Sequence, residues 1–286
     1  MDLFSIKTIK ELLLKQGVKP RKGLGQNFLT SKGVLGDILK AAGLTKQDTV
    51  LEIGPGIGIL TRELAQRAKR VIAVEKDHTM VEILKETAKD LPNIEIIRGD
   101  ILKQNMVELG RTKLKVVANL PYYITSPVIR LFLETENKPI LLVLMVQKEV
   151  AQRICAKPRT RTSSVRGRPP MNLLAVSVQF YAEPSIVSYV KKGCFWPQPK
   201  VDSAILQIAP LINADRKLIN ADMFFKITKA GFKQPRKQLL NNLSQELKLS
   251  RQKVETWLGQ VGIAPTQRAE TLSVEDWIKL AKSAII

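Results

Sequence analysis

Residues 119–126 read Asn-Leu-Pro-Tyr-Tyr-Ile-Thr-Ser and follow LKVVA, Leu114 to Ala118, an apolar run that reads as a buried strand. A loop leaving a strand is usually small and polar. This one offers one amide, a proline and two adjacent tyrosines, so it places rings where the chain leaves its sheet. A second constellation lies upstream. LEIGPGIG sets Glu52, Gly54, Gly56 and Gly58 between a strand and a helix, where glycines let the backbone turn sharply and pass close to a ligand. The next strand ends in an acid, Glu75, 21 residues after Gly54, and the strand after that ends in Asp100 of RGDIL.

An acid at the position of Glu75 can take both hydroxyls of a ribose. Taken singly, Glu75 or Asp100 could equally be a helix N-cap. Three ligand-facing groups at the carboxyl ends of three successive strands instead describe a crevice where the strand order reverses. The glycine pattern narrows the ligand. A phosphate-binding P-loop needs Gly-Lys-Ser/Thr, and here Ile57-Gly58-Ile59 follows the first glycines. A dinucleotide site needs G-x-G-x-x-G, whereas this chain has G-x-G-x-G behind an acid. That arrangement suits a ligand with an adenosine and an amino-acid tail but no phosphate, which is S-adenosylmethionine. Glu52 is placed to hold the turn or the ammonium end.

The elements that must position these residues are legible from periodicity. A helix is expected near residues 3–16, then a basic loop, then a helix capped by Ser31 and ending near Ala42. From Thr49 the chain alternates: TVLEIG strand, ILTRELAQRA helix, RVIAVE strand, HTMVEILKETAKD helix, IEIIRGD strand, LKVVAN strand, a helix from about Ser126 to Glu134, and PILLVLMVQ strand. Short apolar strands between amphipathic helices predict a parallel sheet covered on both faces. KEVAQRICAK is read as a helix, PRTRTSSVRGRPP (158–170) as an exposed loop, NLLAVSVQFY as a helix, and SIVSYVK with DSAILQIA as a late hairpin. From about residue 213 strands vanish, leaving three or four helices.

The chain has 286 residues with Lys+Arg 46 against Asp+Glu 26, a formal charge of +20. Residues 1–150 carry 24 basic and 17 acidic groups, and residues 151–286 carry 22 and 9. Arg153 to Arg168 holds six cations without an anion, and Lys226 to Lys237 holds five. Such runs fit a polyanionic partner, nucleic acid ahead of membrane. No apolar run has the length of a membrane span, and the N-terminal stretch lacks the features of a signal peptide. With His78 the sole histidine, and Cys155 and Cys194 far apart, zinc, Cys-His and Ser-His chemistry have little to work with. The expectation is a metal-free cytoplasmic protein.

LGQNFL, EIGPGIGILT, VEKD, GDIL and NLPYYITSPVI fall in order, followed by MVQKEVAQRI, FWPQPKVDSAIL and RAETLS. In this combination the chain strongly resembles the small-subunit (16S) rRNA adenine N6,N6-dimethyltransferases over about residues 18–280. The resemblance implies an α/β fold, a Rossmann-like class I methyltransferase with a mostly parallel sheet, plus a small C-terminal all-α domain. The methyltransferase domain with its basic N-terminal segment would span 1–211, and a helical domain contacting rRNA would span 212–286. The implied reaction transfers methyl groups from S-adenosylmethionine to N6 of two adjacent adenosines near the 3′ end of the small-subunit rRNA, two on each, in an immature 30S-type subunit. A monomer is expected.

Carried over by position, the resemblance implies that Asn27 and Leu29 close over the methionine part of the cofactor and that Gly54 lies under it. Gly56 belongs to the same turn. Glu75 would bind the ribose and Asp100 the adenine, and Asn119 would face the reacting methyl. The N6 amine is a poor nucleophile because its lone pair is delocalised into the ring. Acceptors on N6–H, Asn119 Oδ1 and the Leu120 carbonyl, would stabilise positive charge as the amine becomes tetrahedral, with Pro121 fixing that carbonyl's direction. Tyr122 would stack on the flipped base and Phe195 would cover its other face. Tyr123 is expected to be a half-buried packing residue.

Two stretches depart from the family pattern: the long basic segment 158–170, and FKQPRKQLLNNL, where Pro235 stands in place of the first of two usual arginines. Three rivals share parts of this picture. Large-subunit rRNA adenine methyltransferases of the macrolide-resistance type share the fold and the N-[IL]-P-Y loop, but GLGQNFL and PKVDSAIL favour the small-subunit family. A non-enzymatic RNA-binding assembly factor could have lost the glycines, Glu75 or Asn119, and all are present. Adenine-specific DNA enzymes show Asp or Asn before Pro-Pro-Tyr, where Leu120 stands here.

Overall fold

The computed structural model describes residues 1–104, 114–158, 169–211 and 219–284. Contacts divide the chain into two units, Met1–Ala151 with Pro184–Pro210, and Gln152–Glu183 with Leu211–Ile286.

The first unit opens with helix α1 (Ile6–Lys15) and a two-residue strand β1 (Phe28–Leu29). Helix α2 (Lys32–Ala42) follows; its cap is the expected one, with Ser31 accepting from the Val34 N–H, and Gly43 ends it in the left-handed region. Then come β2 (Thr49–Ile53), α3 (Ile59–Arg67), β3 (Arg70–Glu75), α4 (His78–Thr87), β4 (Ile94–Arg98), β5 (Leu114–Asn119), α5 (Thr125–Leu133) and β6 (Leu141–Gln147). After α6 (Lys148–Ile154) and α7 (Leu173–Tyr181) the chain returns as β7 (Ala182–Val190), β8 (Phe195–Trp196) and β9 (Ser203–Pro210).

Among the described residues the main sheet runs β4-β3-β2-β5-β6-β9-β7. The pairs β3–β4, β2–β3, β2–β5 and β5–β6 are parallel, and β6–β9 is antiparallel. Central strands read as unbroken apolar runs because they are covered on both sides: Val71 to Val74 and Leu142 to Val146 are all buried. The order reverses at β2, with β3 on one flank and β5 on the other, and a crevice opens at the carboxyl ends of such strands. The late strands are neighbours, but β9 sits between β6 and β7, and the segment joining β7 to β9 carries β8. That strand pairs antiparallel with β1, Phe28 opposite Trp196 and Leu29 opposite Phe195. A two-residue ribbon is too short to leave a periodic trace in the sequence.

Among its described residues the second unit holds α7 and, further on, α8 (Ala221–Gly231), α9 (Leu239–Leu247), α10 (Arg251–Gln260) and α11 (Val274–Lys282). Its core joins Phe224, Ile227, Leu243, Trp257 and Trp277 with Ala175, Val176 and Phe180 of α7. Phe180 stacks on Phe224 with ring centroids 4.1 Å apart. This corrects the expected single boundary at 211/212: residues 152–183 cluster with the C-terminal helices, because the apolar side of α7 is buried against them. Most of the basic stretch 158–170 lies outside the described residues.

Candidate active site

A cavity of about 340 Å³ opens at the carboxyl ends of β2 to β5, within the range of small-molecule sites. Its floor is the turn after β2. Gly54, Gly56 and Gly58 all have positive φ, which side-chain-bearing residues rarely adopt, and a Cβ on Gly58 would lie 2.8 Å from Leu84 Cδ1. Gly54 and Gly56 line the cavity together with Asn27, Leu29, Glu75, Asp100, Asn119 and Pro121, eight of the residues singled out from the sequence.

Three carboxyl groups face this space in three electrostatic states. Glu52 is 2% exposed, its Oε2 has no hydrogen-bond partner, and burial with Glu75 nearby outweighs the Thr61 hydroxyl, so its pKa is raised to about 8. Glu75 is held by two backbone amides, the Asp77 N–H donating to Oε1 at 2.8 Å and the Gly56 N–H to Oε2 at 3.1 Å. Burial still raises its pKa against those amides. Each oxygen keeps a lone pair, which is the acceptor set that two vicinal hydroxyls require. Asp100 shifts the other way: Lys76 donates to Oδ2 at 3.0 Å and holds its carboxyl below the usual range. Its Oδ1 accepts from the Leu102 N–H, so Asp100 caps the short turn after β4 and also lines the cavity. The cap of α4 is Asp77, not Glu75.

The roof is made of two loops locked together. Gly25, at φ +64°, packs so closely on the opposite loop that a Cβ would lie 3.1 Å from Pro121 Cβ. Asn27 Nδ2 donates to the Gly25 carbonyl at 3.0 Å, closing its own turn. Asn119 Nδ2 then donates to the Asn27 carbonyl at 3.1 Å. A carbonyl only accepts, so the amide nitrogen of Asn119 must face it, and Asn119 Oδ1 is left as an acceptor. The N-terminal loop is strapped down further by Gln26 Nε2, which donates to Asp77 Oδ2 at 2.9 Å.

The remaining expected site residues are placed differently. Leu120 is buried, and its N–H donates to the Met145 carbonyl. Tyr122 is half-buried and is not part of the cavity lining; its hydroxyl shares a 2.6 Å hydrogen bond with Ser203 Oγ. Burial pushes the Tyr122 phenol up, so it stays protonated. Tyr123, expected to pack half-buried, is 55% exposed and lines the mouth of the cavity. In the short 3-10 turn Tyr122–Ile124, neighbouring side chains diverge, which a pair of identical letters conceals. Phe195 is also corrected: it is 4% exposed, packs with Leu29, Val190 and Ile205, and does not line the cavity. Its place opposite Leu29 in the β1–β8 ribbon turns it into the core. Both cysteines are free, and burial pushes the Cys155 thiol to about 11.

The family model for ribosomal RNA adenine dimethylase matches residues 17–285. A curated protein of Dehalococcoides mccartyi, ribosomal RNA small subunit methyltransferase A, is 50% identical over 270 residues, covering 94% of this chain and 89% of its own. The protein of that name from Clostridioides difficile is 40% identical, covering 98% and 96%. Among solved structures, a dimethyladenosine transferase from Plasmodium falciparum superposes with TM-score 0.74 at 27% identity, covering 88% of this chain and 95% of that one. The 23S rRNA methyltransferase ErmE gives 0.70 at 27%, covering 90% and 99%. The sheet order, the glycine turn and the Asn-Leu-Pro-Tyr loop are thus found together with a family match over nearly the whole length, and this chain belongs to the ribosomal RNA adenine dimethylase family.

Proposed function

We propose that this chain transfers methyl groups from S-adenosylmethionine to N6 of two adjacent adenosines near the 3′ end of small-subunit (16S) rRNA, two on each, within an immature small ribosomal subunit in the cytoplasm. The observation that carries this reading is the locked amide of Asn119, whose Oδ1 is free at a crevice wall built for an adenosine-bearing ligand.

The donor set fits the cofactor. Glu75 takes the ribose hydroxyls on its two spare lone pairs, and Asp100, ionised and at the rim, accepts from the adenine amine. Asn27 and Leu29 cover the methionine part, Gly54 and Gly56 let the backbone pass beneath it, and the unpartnered oxygen of Glu52 gives the wall a further acceptor. When bound, S-adenosylmethionine supplies a methyl group on a sulfonium, an activated leaving group that needs no metal. The protein's task is the amine. Asn119 Oδ1 and the Leu120 carbonyl accept from N6–H and stabilise the charge that develops there, a preorganised electrostatic contribution. Tyr122 stacks on the flipped base. Phe195 acts from behind, holding Leu29 and the β1–β8 ribbon in place.

The test is transfer of labelled methyl from S-adenosylmethionine to immature small subunits, large subunits and free RNA. Label is expected in N6,N6-dimethyladenosine of the small subunit. Label confined to large subunits would favour the macrolide-resistance type of reaction, and label in none would favour an assembly factor.

A further inference from the structure

Ser203 belongs to PKVDSAIL, a stretch the reaction above leaves without a role. It is fully buried at the start of β9, opposite Gln147 at the end of β6. Its hydroxyl is 2.6 Å from the Tyr122 hydroxyl, which joins two segments 81 residues apart in the chain. The strand on which Ser203 stands is itself fixed. The Lys148 N–H donates to the Asp202 carbonyl at 3.0 Å, and the Lys192 N–H to Asp202 Oδ1 at 3.0 Å.

Tyr122 needs such an anchor. It sits in the one-turn 3-10 helix Tyr122–Ile124 directly after Pro121, and its ring is only half-buried. A partly exposed ring can tilt about χ1 and χ2, and stacking is sensitive to ring plane. A hydroxyl tether at the far end of the ring removes that freedom, because it fixes the ring's tip to a rigid strand. A buried serine hydroxyl is also costly to leave without a partner, so the two groups hold each other in place.

We infer that Ser203 is a positioning residue of the methyl transfer: its hydroxyl, bonded to that of Tyr122, fixes the plane on which the target adenine stacks. The inference rests on the reading of Tyr122 as the stacking residue. It also alters what the hydroxyl is for, since the ring alone would stack without it.

The experiment is a double-mutant cycle on single-turnover methyl transfer with Tyr122→Phe, Ser203→Ala and the pair, beside Tyr122→Ala. Each single hydroxyl deletion is expected to slow transfer about five- to tenfold, the worth of one hydrogen bond. The double variant should be no slower than either single one. Affinity for S-adenosylmethionine should stay at the wild-type value in all of them. Additive losses would show that Ser203 acts through packing alone and would overturn the inference. So would wild-type rates in both single variants while Tyr122→Ala is severely impaired, an outcome that leaves the stacking reading standing. Full activity in Tyr122→Ala would remove the stacking reading and the inference with it. Poor folding of Ser203→Ala is checked by its thermal transition, and Tyr122→Phe, which keeps the half-buried ring, still reads the tether.

Discussion

The two units treat charge in opposite ways. The first buries Asp48, Glu52, Glu75 and Asp77, while the buried polar residues of the second are the neutral pair Thr228 and Asn242 among the described residues. The second unit's residues include 19 basic and 8 acidic side chains, and those of the turn from Lys233 to Lys237 point outwards. Each unit also fixes a loop with an asparagine amide. Asn119 Nδ2 donates to the Asn27 carbonyl, which leaves its Oδ1 as an acceptor. Asn242 Nδ2 donates to the Gly231 and Gln234 carbonyls at 2.7 and 3.0 Å, and so holds the basic turn in shape. On the proposed reading, the buried carboxyls Glu52 and Glu75 of the first unit serve the cofactor crevice, and the exposed cations of the second serve docking to rRNA. Damage to the first should appear in rate and cofactor affinity, and damage to the second in the salt dependence of docking.

The sharpest test of that division is Asn119→Ala. Removing one donor or acceptor aimed at developing charge slows catalysis by about two to three orders of magnitude. Single-turnover methyl transfer with bound subunit should fall by at least about a hundredfold, and affinity for the subunit should barely change. A variant that loses subunit affinity and keeps its rate would place Asn119 with the docking surface instead.

Much of this division could be read in the sequence because it rests on local rules. TVLEI and RVIAVE announce buried parallel strands, Ser31 announces a cap, and Glu75 and Asp100 fall where strands end. What escaped depends on contacts made at a distance or on one-residue geometry. The Phe180–Phe224 stack moves α7 into the second unit, and no property of NLLAVSVQFY names that partner. Phe195 and Trp196 look alike as aromatic neighbours, yet pairing with β1 sends Phe195 into the core. Tyr123 leaves the packing environment expected of it and lines the cavity, although its neighbour Tyr122 in the same short turn is half-buried. The Lys76–Asp100 bond and the protonation of Glu52 depend on burial and on spacing in three dimensions, which residue types alone do not carry.

Glu52 tests the cost of the receptor. Its pKa in the folded chain is about 8, against an ordinary value of 4.5, so between those values the native state holds a proton that the unfolded chain has released. Stability must then fall as pH rises from about 4.5 to 8, and the loss is complete above 8. Glu52→Gln removes the titration and keeps the shape. Urea denaturation should show variant and wild type alike near pH 4, with the variant more stable at pH 9 by up to about 5 kcal/mol. Equal stability at both pH values would mean that Glu52 is ionised and compensated, and that the first unit does not bear this cost.

Glu75 is the next smaller effect, because it is shared between structure and ligand. Its two amide contacts hold the turn at Gly56 and the start of α4, so Glu75→Ala loosens both. Calorimetric titration should show S-adenosylmethionine affinity weakened by about 1.5–3 kcal/mol, the worth of charge-assisted hydrogen bonds. Glu75→Gln, which keeps one acceptor oxygen, should lie between. Unchanged affinity in both would remove Glu75 from the site.

The smallest change at working salt is expected from the basic turn, where many cations share the load. Lys233, Arg236 and Lys237 are exposed, and the Lys233 contact with Glu246 is a loose 3.9 Å. Their side chains hold nothing in place, since the turn is fixed by backbone bonds, Lys237 N–H to the Gln234 carbonyl at 3.0 Å among them, and by Asn242. Replacing all three by serine should leave the thermal transition and cofactor affinity where they are. Each cation–phosphate pairing that is abolished takes about 0.7–0.9 off the slope of log affinity against log salt, so the slope for small-subunit binding should flatten by about two units. At a single moderate salt concentration the same change is a modest drop in affinity, which is why a salt series is needed. Asn242→Ala sharpens the result: it leaves every cation present but frees the turn, so affinity should weaken while the slope stays closer to that of the wild type. Parallel salt lines for the triple variant would show that these three cations do not meet phosphate. The counterion release would then have to come from Lys226, Lys229 or the stretch from Arg153 to Arg168, and the shape that Asn242 imposes on the turn would have no part in docking.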